Sequence, residues 1–182
     1  MTYPLLKPFR DYSEHNVVNL FALDASSGDR GQFVSMVSFD PDNHSNFGAQ
    51  LPGTPSYAYS ADYIVNARVK LAASGTTSCL GMLLYDVRLN LPYLNMPANL
   101  AEPFRLAEQQ VVPSGRAVPI LTKGIVEIAF AEGTPGPGTG AYISNTTPGG
   151  LRCAAAGSAG QVGTWLSSSG VDGYAILKVT AL

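Results

Sequence analysis

Charge is what this chain has least of: Asp, Glu, Lys and Arg make up only 13% of its 182 residues, about half the share usual for a soluble domain. A surface so poor in charge is solvated through Ser, Thr, Asn and Gly, or is partly covered by partners. The formal net charge is −2 with a pI near 5.6. That balance excludes binding by phosphate neutralisation, which needs clustered Lys and Arg, so no nucleic-acid partner is expected. Up to Gln50 the acids Asp11, Glu14, Asp24, Asp29, Asp40 and Asp42 outnumber Lys7, Arg10 and Arg30. No run of like charges forms, and acids carried by loops account for the excess.

Cysteine and histidine are scarce as well. Cys79 and Cys153 are the only cysteines; each sits among apolar or small residues, and a lone pair makes no disulfide framework. They read as small buried hydrophobes. The two histidines, His15 and His44, lie in loop-like segments without the partners that a His-based triad or His-rich metal site needs. Asp40-Pro41-Asp42-Asn43-His44 gathers ligand types but lacks the glycine turn and distal Glu of a calcium loop. Turn chemistry explains its Asp and Asn. No apolar run reaches the length of a membrane span, and the opening MTYPLLKPFRDYSEHN has no apolar signal core. The expectation is a protein made in a reducing cytosol, with no membrane, no metal and no cofactor.

Motifs of bond-making chemistry are missing too. Gly133–Gly140 (GTPGPGTG) has the glycine count of a phosphate loop, but neither the Lys-Ser/Thr pair nor a helix follows it. Asn43-His44-Ser45 and Asn145-Thr146-Thr147 match a glycosylation pattern that means little without a secretory signal. The carboxylates Asp62, Asp86, Glu102, Glu108, Glu127, Glu132 and Asp172 are scattered, and spacing alone pairs none of them as acid and base. Asp86 and Arg88 read as a surface ion pair. Ser114 and Ser167–Ser169 form no nucleophile elbow. Trp165 reads as a core filler of a strand. The chain is expected not to be an enzyme.

What is present is β pattern. Residues 32–39 alternate loosely, and 40–56 read as a long loop. In 57–71, Tyr63, Val65, Ala67, Val69 and Leu71 alternate against Ile64, Asn66, Arg68 and Lys70. Residues 79–91 read as one strand region, with Tyr85, Val87, Leu89 and Leu91 on one face. Further strands are expected at 116–121, 124–130, 141–144, 151–155, 161–166 and 174–179, with a hairpin signal at Asp172-Gly173. Pro103 opens the one expected helix, 103–110, and Ser13 is a fair cap for a short turn within 13–23. The fold expected is all-β: a small antiparallel β-barrel or sandwich with an extended N-terminal arm and at most one short helix. The domains are an arm at 1–30 and a β-rich domain at 31–182, the latter divisible into lobes 31–96 and 111–182 joined by the helix. Pro4 and Pro8 bias the arm to extended forms. Its aromatics and leucines are too apolar for a free tail, so it must lie on its own domain or on a neighbour.

One longer pattern carries a resemblance. LLYDVR (83–88), followed by EQQVVPSGRAVPILTKG (108–124), resembles virion structural proteins of tailed phages in order and spacing. KPFRDYSEHNVVNLFALD (7–24) and the closing DGYAILKV (172–179) fit the same group. The resemblance covers most of the chain outside 40–57, and it implies a head decoration (cement) protein. Such proteins bind the outside of the major capsid protein lattice, stabilise the expanded head, often form homotrimers and need no cofactor. Minimal cement proteins are shorter than this chain, which leaves a head-fibre or neck station open. The implied location is the virion surface, after synthesis in the host cytoplasm. The residues expected in the capsid-contact arm are Tyr3, Leu5, Leu6, Phe9, Arg10 and Tyr12, acting as a strand or clamp. The alternative is a receptor- or glycan-binding virion module, with Tyr57, Tyr59 and Tyr93 stacking on sugars.

Overall fold

A computed structural model describes residues 6–25, 27–38, 68–73, 75–91, 96–97, 110–154 and 160–181. The fold is all-β. The N-terminal strands are β1 (Leu6–Asp11), β2 (Val17–Val18), β3 (Ala22–Leu23), β4 (Ser27–Gly28) and β5 (Phe33–Ser38). Next come β6 (Arg68–Leu71), β7 (Gly81–Leu83), β8 (Asp86–Arg88), β9 (Asn90–Leu91), β10 (Met96–Pro97), β11 (Val111–Pro113) and β12 (Ile120–Leu121). The chain closes with β13 (Lys123–Ala129), β14 (Gly140–Ile143), β15 (Leu151–Arg152), β16 (Gln161–Trp165) and β17 (Tyr174–Thr180).

Two six-stranded sheets dominate. The first, ordered β2-β12-β7-β5-β6-β3, curls until its edges meet. Its two edge strands are consecutive in sequence, and Ala22 bridges to Ala117 just ahead of β12. The Val118 N–H donates to Phe21 O at 2.9 Å, and the Asp24 N–H to Val69 O at 2.7 Å. Residues 17–24 thus close a small barrel whose filling is Phe21, Leu23, Val34, Val69, Leu80, Leu83, Val87, Val118 and Ile120. Pairing is antiparallel except where β3 meets β6.

The second sheet is wholly antiparallel, in the order β1-β13-β17-β16-β14-β15. Val126 and Ile128 of β13 pair with Leu177 and Ala175 of β17, and all four side chains turn inward. A register shift between Ala141 and Tyr142 marks a bulge on β16. With this extra residue, Val162 and Gly163 are buried in succession instead of alternating.

The two sheets share a core. Phe33, Met82 and Leu121 leave the first sheet on the side away from its barrel, and they join Trp165, Leu177, Ile143 and Leu151 of the second. The neighbouring Val34, Leu83 and Ile120 fill the barrel. Burial on both faces is what continuous apolar runs encode, and the Leu80-Gly81-Met82-Leu83-Leu84 stretch is buried throughout. Gly81 is the close-approach point. A Cβ there would lie 2.3 Å from Leu121 O on the paired strand.

A third, three-stranded sheet orders β11-β8-β4, with β11 parallel to β8. It alters one expectation. Residues 79–91 are not one strand but three short ones, because the chain changes partners at Leu84–Tyr85. The Leu84 N–H donates to Pro119 O at 3.0 Å, whereas Asp86 N–H donates to Gln110 O at 2.9 Å. The turn capped by Ser13 is a 3-10 turn, Glu14–Asn16, and the Ser13 hydroxyl accepts the His15 N–H. The helix expected at 103–110 lies outside the described residues apart from Gln110, a turn residue with φ 56°. Most of the strand expected at 57–71 also lies outside them; its end, β6, is present. Residues expected as an arm supply β1 to the second six-stranded sheet (the outer sheet) and β4 to the three-stranded sheet, and they close the barrel with β2 and β3. No helix among the described residues is long and apolar enough to cross a membrane.

Candidate interaction surface

The strand that the sequence singles out, β1, forms an edge of the outer sheet and pairs with β13. Leu6 faces inward and is 5% exposed. Lys7 faces outward. Its ammonium donates to Glu127 Oε1 at 2.7 Å and to Asp172 Oδ2, and lies 4.4 Å from the Tyr174 ring centroid. The hydrogen bonds to Asp172 and then Glu127 raise the Lys7 pKa above its ordinary value, and the same contact with Lys7 lowers that of Asp172. Lys7 is therefore held as a cation, which makes it a fastener and not a nucleophile. The cluster is partly exposed, so salt screens it.

The β1–β13 ladder is broken in the middle. Leu6 is opposite Ile128, yet Arg10 is opposite Val126 and Asp11 opposite Ile125. The intervening residues of β1 outnumber those of β13, and Pro8, which has no N–H, lies among them. Proline and bulges are devices that blunt sheet edges.

Of the six expected contact residues, Tyr3 and Leu5 lie outside the described residues. Leu6 is in the core, and Tyr12 is half-buried against it. Phe9 and Arg10 belong to the edge strand itself. The structure thus gathers Leu6, Phe9, Arg10 and Tyr12 along one edge segment, with Leu6 and Tyr12 turned to their own domain. Sequence reasoning missed the fastening by Lys7, Glu127 and Asp172. No local signal could have shown it, since Lys7 is 120 and 165 residues from its two partners.

Other ionisable groups are also tied to neighbours. Arg88 donates to Gly28 O at 2.6 Å and to Asp29, and its Nη2 is 3.8 Å from Asp86 Oδ2. Asp86 accepts from Arg30 N–H at 2.8 Å, and the Arg30 guanidinium donates to Gln110 Oε1 at 2.9 Å. This network pins the three-stranded sheet beside the one non-glycine residue with positive φ among the described residues, Gln110. Arg68 pairs with Asp24 at 3.2 Å beside the β3–β6 pairing.

Glu132 Oε1 accepts from the Ser144 hydroxyl, from the Thr146 hydroxyl at 2.6 Å and from the Thr146 N–H at 3.1 Å. The Ser144 hydroxyl, then that of Thr146, are the main causes that lower its pKa to about 2. It is a carboxylate at every working pH and no general acid. Glu127 is engaged separately, with Lys7.

Burial pushes the Cys79 thiol up to about 12 and raises Cys153 as well. Both are free thiols held away from the thiolate form that reacts. Trp165 is fully buried, edge-on to Phe130 with ring centroids 5.8 Å apart. It offers no face to a sugar. The glycine loop 133–140 is tied to its backbone: the Gly138 N–H donates to Trp165 O, and the Trp165 main-chain N–H to Thr139 O, both at 2.8 Å. His15 is exposed on its 3-10 turn. His44 with residues 40–43, and Tyr57, Tyr59 and Tyr93, lie outside the described residues. Among the described residues no group of three or more His, Cys, Asp or Glu could hold a metal ion. No protein-family model matches the chain, and no curated protein matches its sequence.

Proposed function

We propose that this chain is a non-enzymatic virion protein that binds the outside of a tailed-phage capsid lattice and stabilises the expanded head. What carries the reading is where the described ionisable side chains go. Lys7, Glu127, Asp172, Arg88, Asp29, Asp86, Glu132, Arg68 and Asp24 each close a contact between strands or pin a loop. Such a molecule acts through contact area. The resemblance of LLYDVR and VVPSGRAVPILTKG to tailed-phage virion proteins supplies the partner, the major capsid protein. Both motifs lie in strands and turns of the barrel and the three-stranded sheet, and the second runs on into the start of β13.

The mechanism is linkage. A subunit that binds only the expanded lattice lowers the free energy of that state by its binding free energy at the prevailing concentration. The outer edge of β1 supplies the contact: its backbone adds to a strand of the shell, with Phe9 and Arg10 as anchors. Leu6 and Tyr12 set the edge in place from inside. The test is co-sedimentation of the purified chain with undecorated expanded heads, followed by imaging. Ordered added density on the shell supports the proposal. Heads that stay bare at saturating protein refute it.

A further inference from the structure

We infer that β1 is an exchangeable strand, and that the surface it also fits is β13 of a second copy of this chain. This goes beyond the reading above and does not rest on it, since the exchange needs no shell. The slot on β13 is defined by what fills it. It takes a strand in register with residues 125–128, an aliphatic side chain where Leu6 sits, and a cation between Glu127 and Asp172. The segment that meets all three demands is Leu6–Asp11 of another copy. Exchange replaces each contact by its twin, so the choice between the two arrangements falls to concentration and to the hinge.

The hold within one chain suits exchange. Among the described strands β1 pairs only with β13, and the ladder is interrupted between Leu6 and Arg10 around Pro8. Its outward fastening is a partly exposed ion cluster, and its one described buried side chain is Leu6. The hinge is short. Only Tyr12 and Ser13 separate β1 from the turn at Glu14, and β2 beyond it belongs to the other six-stranded sheet.

The test uses full-length chains in solution, without shells. One variant carries Lys7→Glu, and the other carries Glu127→Lys with Asp172→Lys. Alone, each variant brings like charges together whether β1 pairs within the chain or with an identical copy. Mixed, exchange restores opposite charges at both slots. Light scattering on a sizing column is expected to show heterodimers at about tenfold lower concentration than self-association of either variant. A second arm mixes Asp11→Cys with Ile125→Cys, which are register partners. Oxidation is expected to give a linked heterodimer well above what either single variant gives with the native Cys79 and Cys153. A mixture that stays monomeric on the column, with no linked heterodimer above that background, overturns exchange. Shell binding that survives this result leaves the functional proposal standing; bare heads together with clear exchange do the reverse.

Discussion

In β7 every residue is buried, whereas β13 alternates half-exposed and buried positions from Ile125 to Ala129. The first strand lies between two cores, with Met82 facing one and Leu83 the other. The second has one core face and one outer face, and the outer face holds Glu127 with Lys7 and Asp172 clasped to it. The contrast separates scaffold from surface. The centre of the curled sheet is taken up by packing, and the outer sheet keeps one face outside the core.

Substitutions of graded size test that division. The largest effect is expected from Phe33→Ala, at a fully buried site on the packed sheet. Urea unfolding should show a loss of about 3–5 kcal/mol, the usual range for truncating a buried Phe. Next is Gly81→Ala, whose new Cβ meets the carbonyl of Leu121 on the paired strand. Backbone cannot step aside without parting β7 from β12, and a loss of about 1–3 kcal/mol or failure to fold is expected. If either change is tolerated like a surface one, the curled sheet is not the scaffold.

Glu132→Gln acts on the outer sheet and depends on pH. The folded pKa of Glu132, about 2, lies below its ordinary 4.5. Its contribution is therefore complete above about pH 4.5 and is lost as pH falls toward 2. Melting temperature measured against pH should fall less steeply across that window in the Gln variant. Equal slopes would mean that the loop at 144–147 is not held by this carboxylate. The smallest effect is expected from Val171→Ser on the hairpin between β16 and β17, where the side chain is fully exposed. Unfolding free energy should move by no more than about 0.5 kcal/mol.

The same division explains what the sequence disclosed. Strands β13 and β17 lie close to their expected bounds, since a strand with one exposed face writes its period into the residues. The stretch 79–91 misled because the alternation of 85–91 runs straight on from the apolar residues 79–84, and the switch of partners at Leu84–Tyr85 is a tertiary event. Closure of the barrel by residues 17–24 left no trace, because a segment that bulges between two strands has no period. The site was legible in one respect only. The apolar character of Leu6, Phe9 and Tyr12 announced that the segment lies on something. That Leu6 lies on its own sheet, fastened by a lysine to acids far along the chain, is set by packing and not by local composition.

In the proposed function the edge of β1 meets the shell while the curled sheet stands behind it. Hydrogen exchange of the chain, free and bound to undecorated expanded heads, measures this directly. Added protection of amides in Leu6–Asp11, with Gly81–Leu83 unchanged, is the predicted result. Firm binding that leaves Leu6–Asp11 exchanging as in the free chain would contradict it.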